Sequence, residues 1–182
     1  MTTLPARRQG HGIKLSFYDF GATPFFACQY DQRFSYCLYV PADYDETAAK
    51  AYDLAVIVHG TGRTATQYRD LFADFAQRHD CIVLAPLFPV GIIEPGDLAN
   101  YKRIQFHDIR YDHVLLAMVD EVIAKYRVNG CRFLLYGYSG GGQFCQRFFM
   151  LHPERLQAVS IGAPGVVTVS YTHLTLPTIL LV

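Results

Sequence analysis

Hydrophobic and polar positions along this chain follow two rhythms, and their order predicts a layered architecture. Phe25 to Tyr30 and Phe34 to Val40 are strand-like, and Pro41-Ala42-Asp43 stops the second of them. Leu54-Ala55-Val56-Ile57-Val58 is apolar without interruption, the pattern of a strand covered on both faces. Helical spacing follows over 66–78, with Tyr68, Leu71, Phe72 and Phe75 on one stripe. Cys81 to Ala85 reads as a second buried strand, and Pro86 to Phe106 as a long Pro/Gly-rich loop. A second helix is predicted from Asp108 to Arg127, with Val114, Leu115, Met118, Val119, Val122 and Ile123 inward. Cys131 to Tyr136 is then a strand and Gln143 to Leu151 a helix that Pro153 cannot continue. Leu156 to Ile161 is the next strand. Buried strands alternating with amphipathic helices specify the α/β class, a mostly parallel twisted sheet with helices on both faces. Sites in such sheets lie at the carboxyl ends of the strands. Three features fall on that rim: the loops after Val58 and Ala85, and the turn after Tyr136.

Composition narrows the possibilities without changing this picture. The 182 residues suit one domain, and 51% hydrophobic against 18% charged residues is globular. Formal net charge is zero and the lysines and arginines are scattered, so no basic face advertises nucleic acid or an anionic membrane. The longest apolar runs are strand-sized, and Met1 to Lys14 has arginines but no apolar core of a secretory signal. Five cysteines form no C-x-x-C pair, and three of them lie in strand-like runs as small core residues. A reduced, cytoplasmic protein is the expectation.

The chemistry concentrates at Gly137-Tyr138-Ser139-Gly140-Gly141, a G-x-S-x-G between a strand and a helix. That context makes the pattern a nucleophile elbow, in which glycines permit a sharp turn and the serine hydroxyl projects from the sheet edge. His59-Gly60-Thr61-Gly62 follows the earlier buried strand. With these two motifs in this order, the chain resembles the α/β-hydrolase superfamily from Phe34 to Pro164. Within it, the chain is most similar to small esterases and polyhydroxyalkanoate-depolymerase-like serine hydrolases. The resemblance implies Ser139 as nucleophile and the backbone N–H groups of Gly140 and Thr61 as oxyanion donors, with Gly62 as the substitute for Thr61. It casts His59, Gly60 and Gly62 as supports of the oxyanion loop, since the superfamily's triad runs Ser, acid, His along the chain. The implied activity is hydrolysis of a small-molecule carboxylic ester through an acyl-enzyme, with no cofactor. The loop after Ala85 borders the serine on this layout, so Phe88 and Tyr101, with Ile92, Ile93 and Tyr138, are candidates for an acyl pocket. The alternative is a surface loop packing its own apolar residues.

The same residues carry rival readings. Gly60-x-Gly62-x-x-Ala65 matches a dinucleotide fingerprint, which would make the chain an NAD-dependent oxidoreductase. That fold needs an acid about 20 residues on, at the end of the next strand. Here that strand ends Leu84-Ala85-Pro86-Leu87. His107, Asp108, Asp112 and His113 look like a metal cluster, but at about 100° per residue the histidines are about 240° apart on a helix. Asp108 and Asp112 are better explained as helix-start residues. A non-catalytic binding protein on a hydrolase fold is the second functional class. From Leu156 to Val182 there is no Asp or Glu, and His173 is the only histidine. The string from Val169 to Thr178 resembles a translated sequencing adapter. The expectation is therefore that 1–168 is the N-terminal part of one domain and 169–182 a foreign tail. On that expectation His173 is not catalytic, and the chain is a poor catalyst as it stands.

Overall fold

The computed structural model describes residues 15–167, apart from Glu46 and Ala48. Along the chain run β1 (Gly21–Ala22), β2 (Phe26–Ala27), β3 (Ser35–Val40), β4 (Asp53–Val58), α1 (Ala65–Leu71), α2 (Ala73–Arg78) and β5 (Cys81–Leu87). After a long loop come β6 (Gln105–Phe106), β7 (Ile109–Arg110), α3 (Tyr111–Lys125), β8 (Phe133–Tyr138), α4 (Gly140–Leu151) and β9 (Leu156–Gly162). The main sheet has the order β1-β3-β5-β4-β8-β9, with β2 also paired to β3. Strands β5, β4, β8 and β9 are parallel neighbours, and β3 joins β5 antiparallel.

Alternation along each central strand sends residues to two different helical layers. Leu54, Val56 and Val58 of β4, with Ile82 and Leu84 of β5, pack with the inward residues of α3 and α4. Ala55 and Ile57, with Cys81 and Val83, pack instead with Tyr68, Phe72 and Phe75 from the α1–α2 segment. Helices therefore cover both faces, and the expected fold class is observed. The β8–β9 part of the α1–α2 face is less covered. There an apolar groove of about 390 Å³, lined by Phe72, Phe75, Leu134, Tyr136, Ala158 and Val159, lies at mid-strand below the rim.

Several boundaries differ from the sequence expectation. The stretch 66–78 is two helices, because Phe72 (φ −101°, ψ 6°) leaves the helical region and ends one while starting the other. Leu71, expected on the inner stripe, points outward and is 77% exposed. Helix α3 begins at Tyr111, since residues 105–110 form a tight hairpin turning at His107 (φ 54°). Asp108 thus lies in that hairpin, and Arg110 holds the N-cap position with no side-chain cap bond. Asp112 is buried in the first turn of α3. Its carboxylate accepts from Arg110 and faces His152 Nε2 at 2.8 Å, joining the start of α3 to the end of α4. No helix among the described residues is long and apolar enough to cross a membrane.

Phe88, just beyond β5, is the aromatic centre of the α3–α4 side. Its ring neighbours are Phe34, His59, Tyr101, Tyr111 and Phe144. Replacing a fully buried phenylalanine by alanine loses its transfer free energy and leaves a cavity. Phe88→Ala is expected to lower unfolding free energy by about 3–5 kcal/mol in urea titrations. Phe149→Ala, at a partly exposed position on α4, is expected to cost less than about 1 kcal/mol.

Candidate active site

The sheet order explains why two loops far apart in sequence meet. The chain leaves β4 toward β5 on one side, whereas β8 leads to β9 on the other. The crevice between β4 and β8 is thus the switch point of the sheet, where α/β sites form. Val58 lies opposite Gly137 in the parallel pairing, so the loops after both strands emerge at one height.

Ser139 sits at φ 56° and ψ −118° between β8 and α4. That conformation costs a non-glycine residue of order 1–3 kcal/mol, and it persists only where its surroundings enforce it. The enforcing contacts are backbone approaches at the flanking glycines. A Cβ on Gly137 would collide with the backbone of Gly141 and come within 2.6 Å of Cys145 Sγ. One on Gly141 would strike the Val58 carbonyl and lie 2.8 Å from that of His59. One on Gly142 would lie 2.6 Å from the Gly162 carbonyl. Helix α4 therefore starts directly at Gly140, three residues earlier than propensity predicts, because packing overrides glycine's poor helix preference. Ser139 itself is exposed, its N–H donates to the Gly162 carbonyl at 2.9 Å, and its hydroxyl makes no hydrogen bond among the described residues.

The loop after β4 folds onto this turn. The Arg63 N–H donates to the Gly60 carbonyl at 3.2 Å, closing a turn over Gly60 to Arg63. Thr61 Oγ1 lies 2.8 Å from the point a Cβ on Gly140 would occupy, so Thr61 and Gly140 are side by side. Neither backbone N–H donates to a protein group among the described residues. Gly60 is buried under Tyr68 and Ser139, and Gly62 is exposed with only Thr64 nearby.

His59 is fully buried below the loop. Its Nδ1–H donates to the Gly60 carbonyl at 2.8 Å, and Nε2 accepts from the Phe88 N–H at 3.1 Å, which defines a neutral ring. Sequence reasoning missed its counterpart, Arg63. The guanidinium donates to the carbonyls of Thr61, Phe88 and Leu98 and to Asn100 Oδ1, clamping the long loop against the Thr61 turn. Nothing in residue spacing announces this role, although an arginine beside a Gly-rich loop is the available signal.

The candidate pocket residues are placed differently. Phe88 and Tyr101 are fully buried, stacked with ring centroids 5.5 Å apart, and the Tyr101 hydroxyl donates to the His59 carbonyl at 3.0 Å. They form the floor beneath the loop instead of a wall open to substrate, because the aromatic cluster encloses both rings. Ile92 packs partly against the core and Ile93 is exposed. Tyr138 is half exposed beside Ser139, with its ring against Gly162. No group of three potential metal-binding side chains occurs among the described residues, and His173 lies outside them.

Desolvation lowers the His59 pKa from 6.5 to about 4, with the positive charge of Arg63 adding to the effect. Between those values the unfolded chain binds the proton and the folded protein does not. Stability held above the unfolded value is therefore lost as pH falls toward the folded one. From pH 7 to 5 this residue alone is expected to account for about 2 kcal/mol of lost stability. Urea midpoints of His59→Asn and the parent, measured across that range, check it: the variant's pH slope is expected to be shallower.

No family model matches the chain, and no curated protein matches it. Solved structures do. A poly(3-hydroxybutyrate) depolymerase, LpqC from Bordetella parapertussis, is 25% identical over 69% of this chain, with a TM-score of 0.58. Poly(aspartic acid) hydrolase-1 from Sphingomonas sp. KT-1 is 25% identical over 76% of it, with a TM-score of 0.63. FphF, a fluorophosphonate-binding serine hydrolase from Staphylococcus aureus, shares the fold at 14% identity over 76% of the chain, with a TM-score of 0.61. The chain spans about half the length of these structures, covering 44%, 55% and 56% of them respectively. The sheet order, the strand–turn–helix at Ser139 and these likenesses agree: the chain carries the α/β-hydrolase fold.

Proposed function

We propose that this chain carries the nucleophile and oxyanion donors of a serine hydrolase acting on carboxylic esters. One observation carries the proposal: an exposed serine on left-handed backbone at a strand–helix turn, next to two amides that no protein group among the described residues uses. Ser139 Oγ would attack the ester carbonyl, forming a C–O bond as the carbonyl π pair moves onto oxygen. The N–H groups of Thr61 and Gly140 would donate to that oxyanion, and the positive end of α4 favours the same charge. Collapse expels the alcohol and leaves acyl-Ser139; water then releases the acid and restores the hydroxyl. Gly60 and His59 would hold the loop, with Gly62 at its outer turn and Tyr138 flanking the entrance. That two solved relatives at 25% identity are a depolymerase and a hydrolase supports a hydrolytic reaction.

The hydroxyl proton needs an acceptor, and among the described residues no imidazole or carboxylate hydrogen-bonds Ser139. His59 does not serve, because both its ring nitrogens are engaged. Nucleophile and oxyanion donors without a base leave only weak catalysis. Treatment with a fluorophosphonate is expected to give a slow adduct on Ser139, located by peptide mass spectrometry, and Ser139→Ala to abolish it. A folded protein, verified by circular dichroism, that labels no faster than Ser139→Ala would favour a binding protein on the same fold.

A further inference from the structure

Three lysines lie among the described residues, and only one of them lacks an acidic partner. Lys50 pairs with Asp43 and Asp80, and Lys125 pairs with Asp19. Lys102 has no carboxylate partner among the described residues, and it is the one beside Gly140, the residue after Ser139. Its Cε lies 2.8 Å from the point a Cβ on Gly140 would occupy, the same point that Thr61 Oγ1 approaches. The ammonium is one bond further, so it lies within a few ångström of the side of Gly140 that Thr61 also approaches.

The backbone beneath it is fixed. Tyr101, the preceding residue, is buried and bonded to the His59 carbonyl, and the Lys102 carbonyl accepts from Arg147 of α4. Among the described residues no carboxylate compensates the charge above it at contact range. Burial removes part of its hydration and Arg63 adds a second positive charge, and both push the Lys102 pKa below the ordinary lysine value. Arg63 spends its hydrogen bonds on three carbonyls and the Asn100 amide oxygen, so it brings no carboxylate with it. Asp97 offsets the field only from beyond ion-pair distance, with one oxygen accepting from the Ala99 N–H. An ammonium held there without an anion is matched by one that arrives with the ligand, since charge-assisted hydrogen bonds are the strong ones.

We propose that Lys102 determines specificity, selecting ester substrates that carry a carboxylate a few bonds from the scissile carbonyl. This inference rests on the hydrolase proposal for Ser139. Two fluorophosphonates of equal chain length test it, one ending in a carboxylate and one in a methyl group. The carboxylate probe is expected to label Ser139 about tenfold faster, the effect of one charge-assisted hydrogen bond in a partly solvated site. Lys102→Met is expected to bring the ratio of the two rates to about one, Lys102→Arg to retain most of it, and added salt to reduce it. Equal labelling of Ser139 by both probes in the parent would overturn this inference alone. A ratio unchanged in Lys102→Met would do so too. Equal slowing of both probes by that variant would also overturn it, placing Lys102 on the oxyanion. Labelling by neither probe above the Ser139→Ala background would overturn the hydrolase proposal, and this one with it.

Discussion

Where β8 turns into α4, the carbonyls of Val58 and His59 lie so close to Gly141 that no side chain fits between them. This approach follows from the parallel pairing of β4 with β8, which brings Val58 level with Gly137. With the two strand ends at one height, the chain after β8 must reverse within a single residue to begin a helix. Ser139 is that residue, and its left-handed backbone is the consequence. The strain is local, but the contacts that impose it come from the ends of β4, β8 and β9 together with α4.

A second layer of constraint keeps the opposing loop in place. Phe88 is held at both backbone groups: its N–H donates to His59, and its carbonyl accepts from Arg63. Its ring anchors in the aromatic cluster between β3, α3 and α4. The turn carrying Thr61 is thereby fastened to the core through two polar side chains, one buried and neutral, one charged and half-buried. Burial of His59 links this arrangement to pH. The ring must stay neutral to accept from Phe88, so protonation breaks a bond that positions the loop.

Much of this was legible in the sequence for identifiable reasons. Uninterrupted apolar runs gave β4 and β5 nearly to the residue, and G-x-S-x-G in its strand–helix context located Ser139. Three consecutive glycines argue against a helix, so propensity places the start of α4 too late; here Gly141 and Gly142 meet backbone carbonyls, and Gly140 meets the side chains of Thr61, Tyr101 and Lys102. The hairpin at 105–110 was hidden because His107 adopts a positive φ that its residue type does not announce. Loop length leaves Phe88 and Tyr101 as candidates either for a pocket or for a loop packing its own apolar residues, because burial is decided by partners distant in sequence, such as Phe34 and Phe144. Residue spacing announces neither Arg63 nor Lys102 for the same reason: their roles depend on which loops the sheet order brings together.

If Ser139 is the nucleophile we propose, the Thr61 and Gly140 amides converge on the oxyanion that forms beside it. A crystal structure of the Ser139 phosphonate adduct measures this directly. The phosphonyl oxygen is expected within about 2.7–3.1 Å of both nitrogens. A phosphonyl oxygen turned toward solvent, with either amide out of reach, would contradict it.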